Sequence, residues 1–223
     1  MCLICNDEYT KDTTEIMCCS NVNFIPDTLV NLVTLDCINT QINSLPDTLV
    51  NLVYLHCSWT NIAAIPDTLV NLVYLNCDKT LVTELPHTLI NLITLYCRWT
   101  HISELPNTLI NLVNLNCHDT KVTVIPDTLI NLHSLDCRQT PISELPDTLV
   151  NLVNLDCTWT KITVLPHTLK HIKLIYSTNK PFVILYRYKF NDFDIDYRSR
   201  YKKLVVLYNI LLSDVYRHYR HYF

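Results

Sequence analysis

The stretch LVTLDCINTQINSLPDTLVN, residues 32–51, returns as LVYLHCSWTNIAAIPDTLVN over residues 52–71 and five more times through His171. Self-similarity at a fixed period of 20 residues is the signature of a solenoid. Seven copies, starting at Leu32, Leu52, Leu72, Leu92, Leu112, Leu132 and Leu152, share the template LxxLxCxxTxIxxLPxTLxN, with the leading Leu as place 1. Val or Leu sometimes stands at the Ile place, and Ile at the Leu before Pro. A half copy, IPDTLVN, begins at Ile25, and IKLIYS from Ile172 reads as a last, degenerate strand. The first places alternate apolar and variable around L-x-C, the pattern of a short strand with one buried face.

Physical chemistry dictates the rest of the architecture. Each copy has six inward side chains, in the first copy Leu32, Leu35, Cys37, Ile42, Leu45 and Leu49. Six such groups cannot offset the entropy of ordering twenty residues, so no copy folds alone and stacking is compulsory. The stacked strands then form a curved parallel β-sheet. Twenty residues leave little room for a helix, and Pro46 and its equivalents favour extended or turn geometry just before them. The reading predicts an irregular convex side of polyproline-like or short 3₁₀ pieces.

Composition narrows the function classes. The 223 residues include no glycine, where average usage of roughly 7% would give about sixteen. The P-loop, the dinucleotide GxGxxG and the GxSxG elbow, which need close backbone approach to phosphate or positive φ, are thereby excluded. No segment approaches the roughly 18 apolar residues of a membrane span; the longest, Leu204 to Leu212, contains Asn209. The start, MCLICNDEYTKD, does not read as a secretory signal, and no Asn-x-Ser/Thr acceptor occurs. These features predict a soluble, cytoplasmic protein in a reducing compartment, where eleven cysteines stay thiols or bind metal.

The pattern LxxLxCxxTxIxxLP resembles the leucine-rich repeat, and its 20-residue length is similar to the short class found in secreted effectors of pathogenic bacteria. The IPDTLVNL alternation also resembles repeat proteins of giant DNA viruses of amoebae. The resemblance covers about residues 25–177. It implies a leucine-rich repeat solenoid of the α/β superclass, mostly β, whose concave sheet binds a protein partner, a host protein in the host cytoplasm if the chain is viral. Two departures stand out: Thr replaces the family's turn Asn in every copy, Thr40 to Thr160, and Cys replaces the second strand Leu. A Thr hydroxyl can still serve neighbouring backbone.

The cysteine ladder, Cys37 to Cys157 at intervals of twenty, reads as core packing rather than metal or redox chemistry, because each Cys points inward with the strand Leu two residues before it. The variable places 3, 5, 7 and 8 are expected to project from the sheet and its exit. All three tryptophans, Trp59, Trp99 and Trp159, stand at place 8. Tyr54 and Tyr74 at place 3, with His56 and Tyr96 at place 5 and Arg98 at place 7, complete a cluster across copies two to four. Tyr, Trp and Arg dominate binding hot spots, so the expected partner-binding residues are Tyr54, His56, Trp59, Tyr74, Tyr96, Arg98 and Trp99, with help from Arg138 and Trp159. The alternative is that the tryptophans only cover the turn edge above Thr60, Thr100 and Thr160. Asp36, Asp78, Asp119, Asp136 and Asp156 are expected to surround the cluster with negative charge.

Three regions follow: an N-terminal cap or partial zinc-binding segment (1–24), the solenoid (25–177), and a basic, aromatic C-terminal cap or tail (178–223). Up to residue 178 the chain carries 8 basic against 17 acidic side chains, and beyond it 9 against 4. Leu204, Leu207, Tyr208, Leu211 and Leu212 have the spacing of an amphipathic helix, suited to capping an exposed solenoid end. The interleaved Arg and Tyr of this tail could hold phosphate and stack on bases, yet the acidic body argues against nucleic acid as a partner.

Cys2, Cys5, Cys18 and Cys19 have a spacing compatible with tetrahedral zinc. CLICNDEY resembles the start of a RING finger, which implies a zinc module of a ubiquitin ligase, although the rest of that pattern is missing. The other reading makes Ile16 and Cys18 an imitation of L-x-C in a capping strand. Function is thus expected to be non-catalytic protein binding. The alternatives are a substrate-recognition adaptor for ubiquitin ligation and a self-associating structural protein.

Overall fold

The structure, a computed structural model, describes residues 3–169, 172–176 and 183–184, all within one compact unit, residues 1–186. Each full copy contributes one three-residue strand at places 3–5: β2 (Thr34–Asp36), β3 (Tyr54–His56), β4 (Tyr74–Asn76), β5 (Thr94–Tyr96), β6 (Asn114–Asn116), β7 (Ser134–Asp136) and β8 (Asn154–Asp156). Before them stands β1 (Glu15–Met17); after them come β9 (Val164–Leu165), β10 (Leu174–Tyr176) and β11 (Val183–Ile184). Among the described residues β1 to β8 and then β10 form one parallel sheet in chain order, and β9 pairs with β11. Register steps by one repeat at each pairing, Leu35 facing Leu55 and Leu55 facing Leu75. The amphipathic segment predicted in the tail lies outside the described residues.

All six inward places of the first copy are buried, Leu32, Leu35, Cys37, Ile42 and Leu49 completely. The same places recur in one continuous core from Ile4 to Leu165. At the N-terminal end Ile16 pairs in register with Leu35, so Cys18 follows β1 as Cys37 follows β2. Ile4, Ile16 and Val22 join the core there.

Between strands the backbone is irregular, as the period and the prolines require. Turns close from Leu49 N–H to the Pro46 carbonyl and from Leu52 N–H to the Leu49 carbonyl, at 3.4 and 3.1 Å, and their equivalents recur down the stack. Among the described residues no helix forms.

Two side-chain ladders fix each copy. At place 9 the Thr hydroxyl donates to the carbonyl of the Cys three residues earlier, 2.8 Å for Thr40 to Cys37 and 2.6 Å for Thr140 to Cys137. Thr therefore does hold the turn. At place 20 the Asn amide donates across to the preceding copy, as from Asn51 to the Val30 carbonyl at 2.9 Å and from Asn91 to the Val70 carbonyl at 3.0 Å.

Positive φ occurs in this chain without glycine. Place 8 is left-handed in every copy: φ is 54° at Asn39, 59° at Trp59, 52° at Lys79, 53° at Trp99, 55° at Asp119, 53° at Gln139 and 58° at Trp159. Glycine is the residue that enters this region freely, while Asn and Asp tolerate it better than most others. Inter-copy hydrogen bonds hold the geometry here: the place 8 N–H donates to the place 7 carbonyl of the next copy, at 2.9 Å from Trp59 to Asp78 and 2.8 Å from Lys79 to Arg98. Stacking thus imposes a conformation that a lone repeat would avoid.

Candidate interaction face

Places 3 and 5 lie on the outer side of the sheet and are half-buried in β2 to β7, because parallel strands about 4.8 Å apart bring equivalent side chains into contact. Where those side chains are aromatic, they stack. The Tyr54 and Tyr74 rings are nearly parallel, centroids 4.3 Å apart, and Tyr96 leans on Tyr74 at 5.9 Å. Burial, and next the neighbouring Tyr54, pushes the Tyr74 phenol up to about 12. Three of the predicted residues thus form one continuous tyrosine surface across β3, β4 and β5.

Beside it, on the turns, runs a second stack. The Lys79 ammonium lies 3.7 Å from the Trp59 ring and 4.6 Å from the Trp99 ring, a cation held between two indoles. The Arg98 guanidinium approaches Trp99 at 5.1 Å, and His118 meets the same indole edge-on at 5.2 Å. Trp59 and Trp99 nevertheless remain 54% and 40% exposed, enough surface to offer a partner. Lys79 and His118 were not singled out from the sequence. The signal was available, since neighbours in this fold are residues twenty apart, and Lys79 falls between two tryptophans in the place 8 column.

Place 7 requires a correction. It was expected to project outward, but Ser58, Asp78 and His118 are buried. Ile38, at the same place, is exposed, so burial here depends on the side chain and its neighbours: Ser58 meets His56, Asp78 meets Arg98, and His118 meets the Arg138 carbonyl and Trp99. Asp78 in particular does not surround the cluster with exposed charge: its carboxylate accepts from the Arg98 main-chain N–H at 2.6 Å and from Arg98 Nε at 2.8 Å, with Nη2 also at 2.6 Å. Arg98 is thereby fixed in place, a third exposed.

The remaining predicted residues are more dispersed. His56 sits beside the tyrosines, with Nε2 2.8 Å from Ser58 Oγ and Nδ1 3.4 Å from Asp36. Arg138 pairs with Asp136 at 2.6 Å and approaches Asp156 at 3.3 Å. Burial raises the Asp156 pKa from its ordinary value. Trp159 is exposed on the turn after β8, five strands and roughly 24 Å from Trp59.

The cysteine ladder is interior. Cys37 to Cys157 are fully buried, and burial pushes the Cys57, Cys97 and Cys137 thiols far above their ordinary range, so these groups stay protonated and act as small core side chains. At the amino terminus Cys5 and Cys19 approach to 3.2 Å between sulfurs, and Cys18 and Cys19 pack against the core. Cys2 lies outside the described residues. Among those described, no three His, Cys, Asp or Glu side chains gather as a metal site, and no helix is long and apolar enough to cross a membrane.

A second linear feature escaped the sequence reading. Asn31 to Asn131 at place 20 and Val33 to His133 at place 2 line an open groove along the strand starts. The Asn amides there are already spent on carbonyls of the preceding copy, which makes this edge scaffold.

No family model and no curated protein matches the chain. Solved structures do. The functional domain of InlJ from Listeria monocytogenes, described as including a cysteine ladder, superposes with a TM-score of 0.64 at 22% identity over 73% of this chain and 43% of that one. A leucine-rich-repeat protein of Leptospira interrogans gives 0.57 at 17% identity, over 73% of this chain and 54% of its own. The plant peptide hormone receptor RGFR1, solved in complex with RGF2, gives 0.54 at 19% identity, over 71% and 35%. The chain thus spans about half or less of the length of these proteins. What the likenesses establish is the fold, a parallel-strand solenoid of the leucine-rich-repeat kind.

Proposed function

We propose that this solenoid is a non-catalytic binding module that takes a protein partner on the outer face of its sheet, centred on Tyr54, Tyr74, Tyr96, Trp59 and Trp99. The observation that carries the proposal is the tryptophan at left-handed backbone. At place 8 a bulky residue costs roughly 1 kcal/mol or more relative to glycine, and the same turn is made in this chain by Asn39 and Asp119. The turn itself does not require tryptophan, and Trp59 and Trp99, whose rings hold Lys79, stay exposed beside a contiguous tyrosine stack. The receptor likeness supports the reading, since that solenoid was solved in complex with RGF2.

Arg98 and Arg138 take a more limited part in this proposal, because their guanidinium groups are tied to Asp78, and to Asp136 and Asp156. They shape the face and offer only their remaining donors. Seven buried thiols suit a reducing compartment, which we propose as the site of action.

The test is affinity capture from a cell lysate with the wild-type chain beside a Tyr54→Ala, Trp59→Ala, Tyr96→Ala, Trp99→Ala variant whose fold is verified by circular dichroism. A partner held by the wild type and lost by the variant supports the face. A partner held equally by both refutes it. Self-association without a partner favours a structural role, and capture of ubiquitin-conjugating machinery through the amino terminus favours the adaptor reading.

A further inference from the structure

Ten cysteines are described, and they fall into two chemical classes. Seven form the interior ladder, closed to solvent. The other three lie at the N-terminal end, where Cys5 is exposed and Cys18 and Cys19 are half-buried. Among the described cysteines, only these three are open to a reagent. Cys18 follows β1 in the position of a ladder cysteine, whereas Cys5 comes from the first turn, whose Asp7 and Glu8 N–H groups close on the Ile4 and Leu3 carbonyls at 3.3 and 3.0 Å. That turn sets Ile4 in the core and brings Cys5 Sγ within 3.2 Å of Cys19 Sγ, fourteen residues on. Two sulfurs this close need only a small movement to bond.

We propose that Cys5 and Cys19 form a reversible redox pair whose disulfide clasps the N-terminal end of the solenoid. The oxidant is a low-molecular-weight disulfide such as oxidised glutathione. One protein thiolate attacks that disulfide and releases one small thiolate. The second protein thiolate then attacks the mixed disulfide, forms the Cys5–Cys19 bond and expels the other small thiolate. The two protein thiols lose two electrons and two protons, and the small disulfide is reduced to two thiols.

The bond closes a fifteen-residue loop that contains β1, the strand at the edge of the sheet. A repeat array frays from its ends, where each unit has only one neighbour. Cross-linking such a loop suppresses opening, so the clasp converts the end from a fraying edge into a fixed one. The redox state of the surroundings then sets how firmly the first repeats are held, while the sealed ladder is untouched.

The full chain would be equilibrated with oxidised and then reduced glutathione, with linkages mapped by tandem mass spectrometry of the proteolytic peptides and amide exchange followed at Ile16 to Val22. A Cys5–Cys19 linkage that reduction reverses, together with roughly hundredfold slower exchange at Ile16 to Val22 in the oxidised form, is the expected result. Cys5→Ser should abolish both effects, whereas Cys2→Ser and Cys18→Ser should retain them. A linkage through Cys18 or Cys2 instead, stable mixed disulfides without the internal bond, a linkage with unchanged exchange, or a stoichiometric zinc ion that blocks these thiols would each overturn the proposal.

Discussion

Replacing Arg98 by Ala should cost more stability than replacing its partner Asp78, although the two changes break the same ion pair. Asp78 is almost completely buried, and its carboxylate is satisfied by the Arg98 guanidinium and main-chain N–H. Without the guanidinium, a buried carboxylate keeps one main-chain donor and loses its counter-charge, which should cost about 3 kcal/mol, the lower end of the range for a broken buried pair. Asp78→Ala removes the buried charge itself and frees a guanidinium that already has a third of its surface in water. The loss of those hydrogen bonds should then cost only about 1 to 2 kcal/mol. The double variant should cost no more than Asp78→Ala, recovering about 1 to 2 kcal/mol of the Arg98→Ala deficit. Urea unfolding of the four proteins, with amide exchange in β4 and β5 as a local readout, completes the cycle. An Arg98→Ala cost under about 1 kcal/mol, or an Asp78→Ala cost larger than that of Arg98→Ala, would refute the account of Asp78 as a buried, guanidinium-dependent charge. The result also bears on binding, because an alanine scan at Arg98 removes a structural tie along with any contact to a partner.

Phenolate absorbance should show one tyrosine titrating near 12, and Tyr54→Ala should lower that midpoint, since burial and Tyr54 both raise Tyr74. Because the folded-state value lies above the ordinary value of about 10, the unfolded chain ionises first, and stability should decline as pH rises from about 10 and level off beyond about 12. Lys79→Ala should alter the fluorescence of Trp59 and Trp99 and cost roughly 1 to 2 kcal/mol, about 0.5 to 1 for each cation–π contact; an unchanged spectrum would argue against the sandwich. Gln139→Asn should raise stability by about 0.5 to 1 kcal/mol, since Asn enters the left-handed region at lower cost, and a loss of stability in thermal unfolding would show that backbone strain is not what place 8 costs.

The scaffold was legible because the chain writes it seven times. Leu32, Leu35 and Cys37 alternate as a strand must, and a period too short for a helix left an irregular return. The inward direction of the cysteine ladder and the Thr40 hydroxyl contact followed from the same pattern. The site was legible only in part. Tyr54, Tyr74 and Tyr96 could be placed on adjacent strands, but Ser58, Asp78 and His118 were assigned to the surface with the rest of their column, and nothing in a glycine-free sequence announced a left-handed residue at place 8. That conformation comes from hydrogen bonds between copies, and a period shows that copies stack without showing how their turns lock. Lys79 was passed over for a different reason: a cation between two indoles becomes visible only when the copies are read down the column rather than along the chain.

The central claim, that the aromatic outer face receives a protein partner, is tested most directly by mapping amide exchange of the chain with and without a captured partner. Protection confined to Tyr54–His56, Tyr74–Asn76, Thr94–Tyr96 and the turns carrying Trp59, Lys79 and Trp99 is the predicted footprint. Protection on the Pro46 side of the repeats, with these strands unchanged, would contradict it.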